Sequence, residues 1–224
     1  PDDNAFDGSW GVFDEEFLQF FCDKLNTFQS PFFASIFTIS SHIPYTIPER
    51  YKGKFPKGTT EIHESVGYTD YALRQFFKKA KQQPWYNNTL FVFTADHTSS
   101  SGTGKYTTNV GKFRIPIFFF DPSKPEFQGV VEKNFQQIDI LPSVLDYLNI
   151  SDTIVSYGKS YLSDKDFVVS YVDNVYNYIH KDYYLAFDGV KSIGLFNFKN
   201  DPLFKENLLE KKPEIRAEME RFIK

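Results

Sequence analysis

The 224-residue chain holds one cysteine, one methionine and two tryptophans, and each scarcity excludes something. A lone thiol cannot close an internal disulfide, and no paired-cysteine spacing exists to grip zinc. Cys22, set in Phe20-Phe21-Cys22-Asp23, reads as a small buried apolar residue rather than a reactive thiol. Positive charge is also short. With 25 Lys and Arg against 29 Asp and Glu, the formal net charge is -4, so no basic footprint awaits a nucleic acid. No apolar run reaches the roughly 18 residues of a membrane span, and no signal or transit peptide is visible. The chain opens at Pro1 without an initiator methionine. It therefore reads as a processed or excised piece, and its missing targeting segments carry little weight. Repeats and low-complexity tracts are absent.

What is present is globular: 41% hydrophobic and 24% charged residues, enough to build a core and too apolar for disorder. The 26 Phe and 14 Tyr are in excess, and core packing is the one account of them that composition supports.

The stretch Leu90-Phe91-Val92-Phe93-Thr94-Ala95-Asp96-His97 organises the rest. Its short aromatic and β-branched run reads as a buried strand of a parallel sheet. In open α/β sheets, chemistry collects beyond the carboxyl ends of the strands. Asp96 and His97 stand at such an end, where a carboxylate oxygen and an imidazole nitrogen suit a divalent cation. Taken alone, the same doublet also fits a solvated or helix-capping pair. A second strand-like run, Phe32 to Ile39, ends in Ser40-Ser41-His42-Ile43-Pro44. Two runs thus each deliver a histidine at the carboxyl end, on one edge if the sheet is parallel.

The other elements follow from spacing. Asp14 reads as an N-cap, with Glu15 and Glu16 in the first helical turn and Phe17, Leu18, Phe21, Leu25 and Phe28 on one face. Trp10 reads first as a hydrophobic anchor beside that helix, and second as a ligand-stacking ring. Val66, Leu73, Phe76, Phe77 and Ala80 predict a helix from Ile62 to about Gln83. His63 near its start and Asp70 within it read as water-facing. The loop carrying Lys52, Lys54 and Lys57 reads as solvated, with an anionic substrate as its functional alternative. After His97, the segment 98–104 is rich in hydroxyls and glycine but lacks the pattern of a nucleotide phosphate loop. Ile115 to Phe120 predicts another buried strand, and Gln137 to Leu148 a helix with Pro142 near its start. Beyond about residue 150, the runs 167–172, 183–187 and 191–198 predict a small antiparallel sheet. A last helix begins near Pro213, with Ile215, Met219 and Phe222 on one face. The alternation of strands and helices up to about residue 150 predicts a three-layer α/β body.

Several of these stretches, in this order, resemble one family. Trp10-Gly11-Val12-Phe13-Asp14, Phe37-Thr38-Ile39-Ser40-Ser41-His42-Ile43-Pro44 and Phe93-Thr94-Ala95-Asp96-His97 are similar to the extracellular domain of lipoteichoic acid synthases and related phosphoglycerol transferases. These form part of the sulfatase branch of the alkaline phosphatase superfamily. Ile115-Pro116-Ile117, Gln137-Ile138-Asp139-Ile140-Leu141-Pro142 and Leu195-Phe196-Asn197-Phe198 continue the match. The ordered set is specific where no single motif is.

The resemblance implies an α/β fold: the three-layer α/β/α sandwich of the alkaline phosphatase/sulfatase type, with a small antiparallel carboxyl-terminal sheet and a final helix. The whole of 1–224 would be the carboxyl-terminal part of one catalytic domain, 1–150 its α/β body and 151–224 the sheet and helix. Asp96 and His97 match paired ligands of a divalent metal, manganese in the lipoteichoic acid synthases, with magnesium, calcium or zinc as alternatives. His42 matches a histidine that contacts the phosphoryl or sulfuryl group of the substrate. The nucleophile and a first-strand carboxylate ligand are expected upstream of the chain. Asp2, Asp3 and Asp7 are the only carboxylates before Trp10, and nothing places them on a strand. The implied protein is anchored to the cell membrane by an upstream segment, with its catalytic domain extracytoplasmic. It would be a metal-dependent phosphoglycerol transferase or phosphodiesterase acting on an anionic lipid headgroup or glycan. Two alternatives stay open: a sulfuric ester hydrolase, and a non-catalytic glycan- or headgroup-binding fragment. Alone, the 224-residue piece is expected to be inactive.

Overall fold

The computed structural model describes residues 5–99 and 102–224. Asp2, Asp3, Ser100 and Ser101 lie outside the described residues. The chain divides into two compact units, one running up to Phe91 and including Phe119–Phe127, the other comprising Val92–Phe118 and Gln128–Lys224. No helix among the described residues is long and apolar enough to cross a membrane.

In the first unit, α1 (Asp14–Leu25) buries Leu18, Cys22 and Leu25. These pack with Ala72, Phe76 and Ala80 of α2 (Ile62–Ala80), and with Trp85 and Tyr86. Cys22 is fully buried, the place for a small apolar side chain. Asp14 is not the N-cap. Phe13 holds that position without a side-chain cap, and Asp14 is the first helical residue, itself fully buried. The reason is tertiary. Its carboxylate accepts the N–H groups of Ile39 (3.0 Å) and Ser40 (2.9 Å) and the hydroxyl of Thr69 (2.7 Å). The buried stripe of α2 is Ser65, Tyr68, Ala72, Phe76 and Ala80, while Val66 is exposed. Ser65 tolerates burial because its hydroxyl donates to the carbonyl of Ile62 at 2.8 Å. Part of the aromatic excess gathers here: Tyr51, Phe55, Tyr68 and Tyr71 form one cluster of ring contacts.

The run 32–39 is extended and not a strand. Burial alternates residue by residue: Phe32, Ala34 and Ile36 pack into the core, while Phe33 is 92% and Phe37 62% exposed. The side-chain period of a strand is present. A strand also needs a neighbour's N–H and C=O groups, and this run has no ladder partner among the described residues.

β1 (Phe91–Thr94) and β2 (Ile117–Phe120) form a two-stranded sheet. Both were expected to be buried on each face. Instead β2 alternates, with Phe118 and Phe120 exposed. Phe93 stacks on Phe118 with centroids 4.6 Å apart.

In the second unit, a 3-10 turn at Gln137–Asp139 leads into α3 (Ile140–Tyr147), so the predicted single helix begins as a tighter turn. Asp139 and Lys159 form a buried ion pair at 2.7 Å. Asp139 also accepts the N–H groups of Gln136 and Lys159, and Lys159 donates to the carbonyl of Phe167 at 2.8 Å.

The last third is a four-stranded antiparallel sheet in the order β3 (Phe167–Val172), β4 (Val175–His180), β5 (Tyr183–Phe187) and β6 (Ser192–Asn197). Sequence reasoning missed β4. The signal was Asp173-Asn174, whose φ angles of 54° and 62° make the two-residue turn between β3 and β4. α4 (Pro213–Ile223) starts on its proline and packs Met219, Ile215 and Ile223 against Tyr178, Leu185 and Leu195. Phe222 is half exposed but stacks on Tyr178, with centroids 4.7 Å apart.

Candidate functional site

β1 ends at Thr94, and the polar doublet follows one residue later. The Asp96 Oδ2 and His97 Nε2 atoms stand 3.3 Å apart on half-exposed side chains. An exposed carboxylate–imidazole contact contributes little to stability, so stability does not explain the spacing. Two donors each about 2.1 Å from one cation lie about 3.0–3.4 Å from each other. His97 Nδ1 lies 2.8 Å from the carbonyl of Thr98. A carbonyl can only accept, so that nitrogen carries the proton and Nε2 of the neutral ring keeps its lone pair, the form that binds a metal. Carboxylate oxygen and imidazole nitrogen are donor types that manganese, zinc and magnesium accept in varying degree. Among the described residues, no third His, Cys, Asp or Glu joins them in a ligand cluster. The doublet therefore fits a divalent cation in kind and spacing, and supplies two of the roughly four to six donors such an ion takes.

The doublet's backbone is held on several sides. Ala95 N–H donates to the Pro116 carbonyl at 3.3 Å, and His97 N–H to Asp96 Oδ1 at 2.9 Å. The Thr98 hydroxyl donates to the Lys112 carbonyl. Gln137, from the turn before α3, donates through Nε2 to the carbonyls of Ala95 (2.8 Å) and Asp96 (2.9 Å).

His42 belongs to the first unit and is described there by itself. Its loop is latched at the root by buried Asp14, through Ile39 and Ser40. Its Nδ1 lies 2.8 Å from the Ile43 carbonyl, which also receives the Trp10 indole N–H at 2.9 Å. The Trp10 ring meets the imidazole edge-on at 4.8 Å. Nδ1 is thus the protonated nitrogen, and Nε2 on the exposed ring is the one left for chemistry. Trp10 is 65% exposed. The anchor reading of this residue is corrected: the indole braces the histidine loop. Asp7 shapes the approach, its Oδ1 accepting the N–H groups of Ser9, Trp10 and Gly11.

The other candidates have local roles of their own or face water. Asp70 pairs with Arg74 on the surface at 2.6 Å. The ring of His63 accepts the N–H of Thr59 at 2.9 Å, a local turn role. Lys52, Lys54 and Lys57 are exposed. Sequence reasoning missed Gln137 and the Asp14 latch. Neither announces itself, because an amide at a helix start and an aspartate in a first turn are both commonplace.

Residues 1–150 match the Sulfatase family. The chain is similar to the lipoteichoic acid synthase-like protein YvgJ of Bacillus subtilis, at 28% identity over 69% of this chain and 28% of that protein. It also resembles an arylsulfatase of Clostridium perfringens, at 25% identity over 70% of this chain and 37% of that one. Among solved structures, a protein in the alkaline phosphatase superfamily from Vibrio parahaemolyticus superposes with a TM-score of 0.70 at 25% identity. That match covers 93% of this chain and 56% of the other. The chain thus spans 28% and 37% of the length of the two curated relatives named here. The fold is the α/β fold of the alkaline phosphatase and sulfatase type, with a small antiparallel carboxyl-terminal sheet and a closing helix.

Proposed function

Because the chain belongs to the Sulfatase family, we propose that it is the part of a phosphoglycerol transferase or phosphodiesterase that carries the Asp96–His97 metal doublet. The observation that supports this most is the 3.3 Å convergence of Asp96 Oδ2 and His97 Nε2, with the other imidazole nitrogen already tied to a carbonyl. The similarity to a lipoteichoic acid synthase-like protein favours a phospholipid-derived headgroup as the group transferred, outside the cytoplasm, in a protein anchored to the membrane by an upstream segment. On this reading the nucleophile is supplied from outside these 224 residues.

Asp96 and His97 would hold the cation, manganese first, with magnesium, calcium or zinc as alternatives. Such an ion supplies Lewis-acid polarisation of the phosphoryl oxygens. His42 is assigned to the phosphoryl group. With Nδ1 committed to Ile43, Nε2 donates to a non-bridging oxygen as imidazolium, and as the neutral ring it takes a proton from an incoming hydroxyl. Trp10 limits the swing of that ring. With two metal donors and the nucleophile supplied from elsewhere, the 224-residue piece alone is expected to turn over negligibly.

The test is a manganese titration of the chain beside His97→Ala, followed by the electron paramagnetic resonance of free Mn(II). Loss of one of two donors is expected to weaken binding at least about tenfold. Equal affinity in both proteins would remove the doublet from the site. The arylsulfatase similarity favours a second reading, sulfate-ester hydrolysis at the same residues. Turnover of an aryl sulfate, and none of a glycerophosphodiester, by the chain joined to its upstream region would replace the first reading by the second.

A further inference from the structure

We propose that Gln137 is the positioning residue of the Asp96–His97 doublet, acting through its amide on the backbone that carries both ligands. This rests on the metal reading of those two residues and extends it to a residue that would not touch the ion. The two hydrogens of one NH2 group match two consecutive carbonyls, Ala95 at 2.8 Å and Asp96 at 2.9 Å. Other bonds hold the turn after β1 as well: Ala95 N–H on Pro116, the Thr94 hydroxyl on the Ala95 carbonyl, His97 N–H on the Asp96 carboxylate, and the Thr98 carbonyl on the His97 ring. Without the Gln137 bonds, the Asp96 carbonyl reverts to water while that of Ala95 keeps only the Thr94 hydroxyl, and the peptide linking Asp96 to His97 loses the bond that fixes its carbonyl. The carboxylate and the imidazole would then sample separations other than 3.3 Å. Ligand groups bind a cation well when their own supports hold them in place beforehand.

Gln137 can act as a support because it is itself anchored. Two residues on, Asp139 is fully buried and fastened to Lys159 and to the Gln136 N–H. The clamp therefore runs from a buried ion pair, through a surface amide, to the doublet.

The experiment compares wild type, Gln137→Met, Gln137→Ala and His97→Ala by Mn(II)-induced broadening of the amide resonances of residues 95–98, which detects millimolar binding. Melting temperatures in EDTA are measured alongside. Gln137→Met keeps the length and removes both donors, and the exposed position lets both variants fold. The expected result is affinity lowered about tenfold in both Gln137 variants, a larger loss in His97→Ala, and amide shifts at 95–98 before any metal is added. The melting temperature in EDTA should stay within about 2 °C of wild type, since exposed polar positions seldom move stability much. Wild-type affinity in the Gln137 variants, with His97→Ala weakened, overturns the positioning role and leaves the metal reading standing. Failure of wild type to broaden at 95–98, or equal broadening in His97→Ala, overturns both. A parallel fall in melting temperature and affinity marks Gln137 as merely structural and also overturns the proposal.

Discussion

Asp14 shows how much one buried carboxylate can govern at the residue scale. It sits at zero exposure with three acceptor contacts, two of them to backbone N–H groups at the root of the His42 loop. Truncation to alanine strands both N–H groups away from water. Each such loss costs about 1–3 kcal/mol, so Asp14→Ala is expected to lower the unfolding free energy by about 2–4 kcal/mol in urea titrations. Asp14→Asn keeps one acceptor oxygen for the two N–H groups and should cost clearly less. Equal losses in the two variants would show that charge, not the accepting oxygen, holds the loop. The sequence announced the carboxylate at the helix start but not its task. An N-cap and a buried latch have the same residue in nearly the same place, and only the approach of residues 39–40 and Thr69 distinguishes them.

Among the elements, the join between the Gln137–Asp139 turn and the segment from Lys159 to Phe167 is centred on one buried ion pair. Lys159 and Asp139 are both buried and 2.7 Å apart. Removing one partner from such a pair leaves an uncompensated buried charge. Lys159→Met is therefore expected to destabilise the chain by about 3–5 kcal/mol, read from the urea midpoint at constant slope. A loss below about 1 kcal/mol would mean that water reaches Asp139 in solution. Helix faces were largely legible, since 3.6-residue spacing follows from the chain itself. Strands were less so. The run 32–39 has the alternation of a strand but no ladder partner among the described residues. β4 was overlooked because Val175-Tyr176-Asn177-Tyr178 mixes polar and aromatic residues, with Asn177 buried through the hydroxyl of Tyr184 at 2.7 Å.

The whole molecule responds to alkali through its buried phenols. Burial, with Glu218 nearby, pushes the Tyr178 hydroxyl from the ordinary 10.0 up to about 12. Below pH 10, folded and unfolded chains both hold that proton. Between pH 10 and about 12 the unfolded chain sheds it while the folded chain keeps it, so stability falls as pH rises through this window. Tyr178→Phe keeps the ring and its stacking on Phe222, so it is expected to stay within about 1 kcal/mol of wild type at neutral pH and to decline less steeply between pH 10 and 12. Urea midpoints measured across that range check the slope, and an unchanged slope would assign the alkaline loss to other groups. Tyr68 shifts in the same direction, so Tyr178→Phe should reduce the decline without abolishing it.

Order of motifs, helical periodicity and the polar ends of two apolar runs were determined by sequence alone, and they were enough to reach the family and its α/β fold. Those properties are local: they depend on which residues lie three, four or two positions apart. Tertiary structure decided that Asp14 is a latch, that Trp10 braces a histidine, and that Gln137 reaches back 41 residues to the carbonyl of Asp96. Hydrogen-bond partners distant in sequence leave no periodic trace, because their pairing is set by where the chain returns in space.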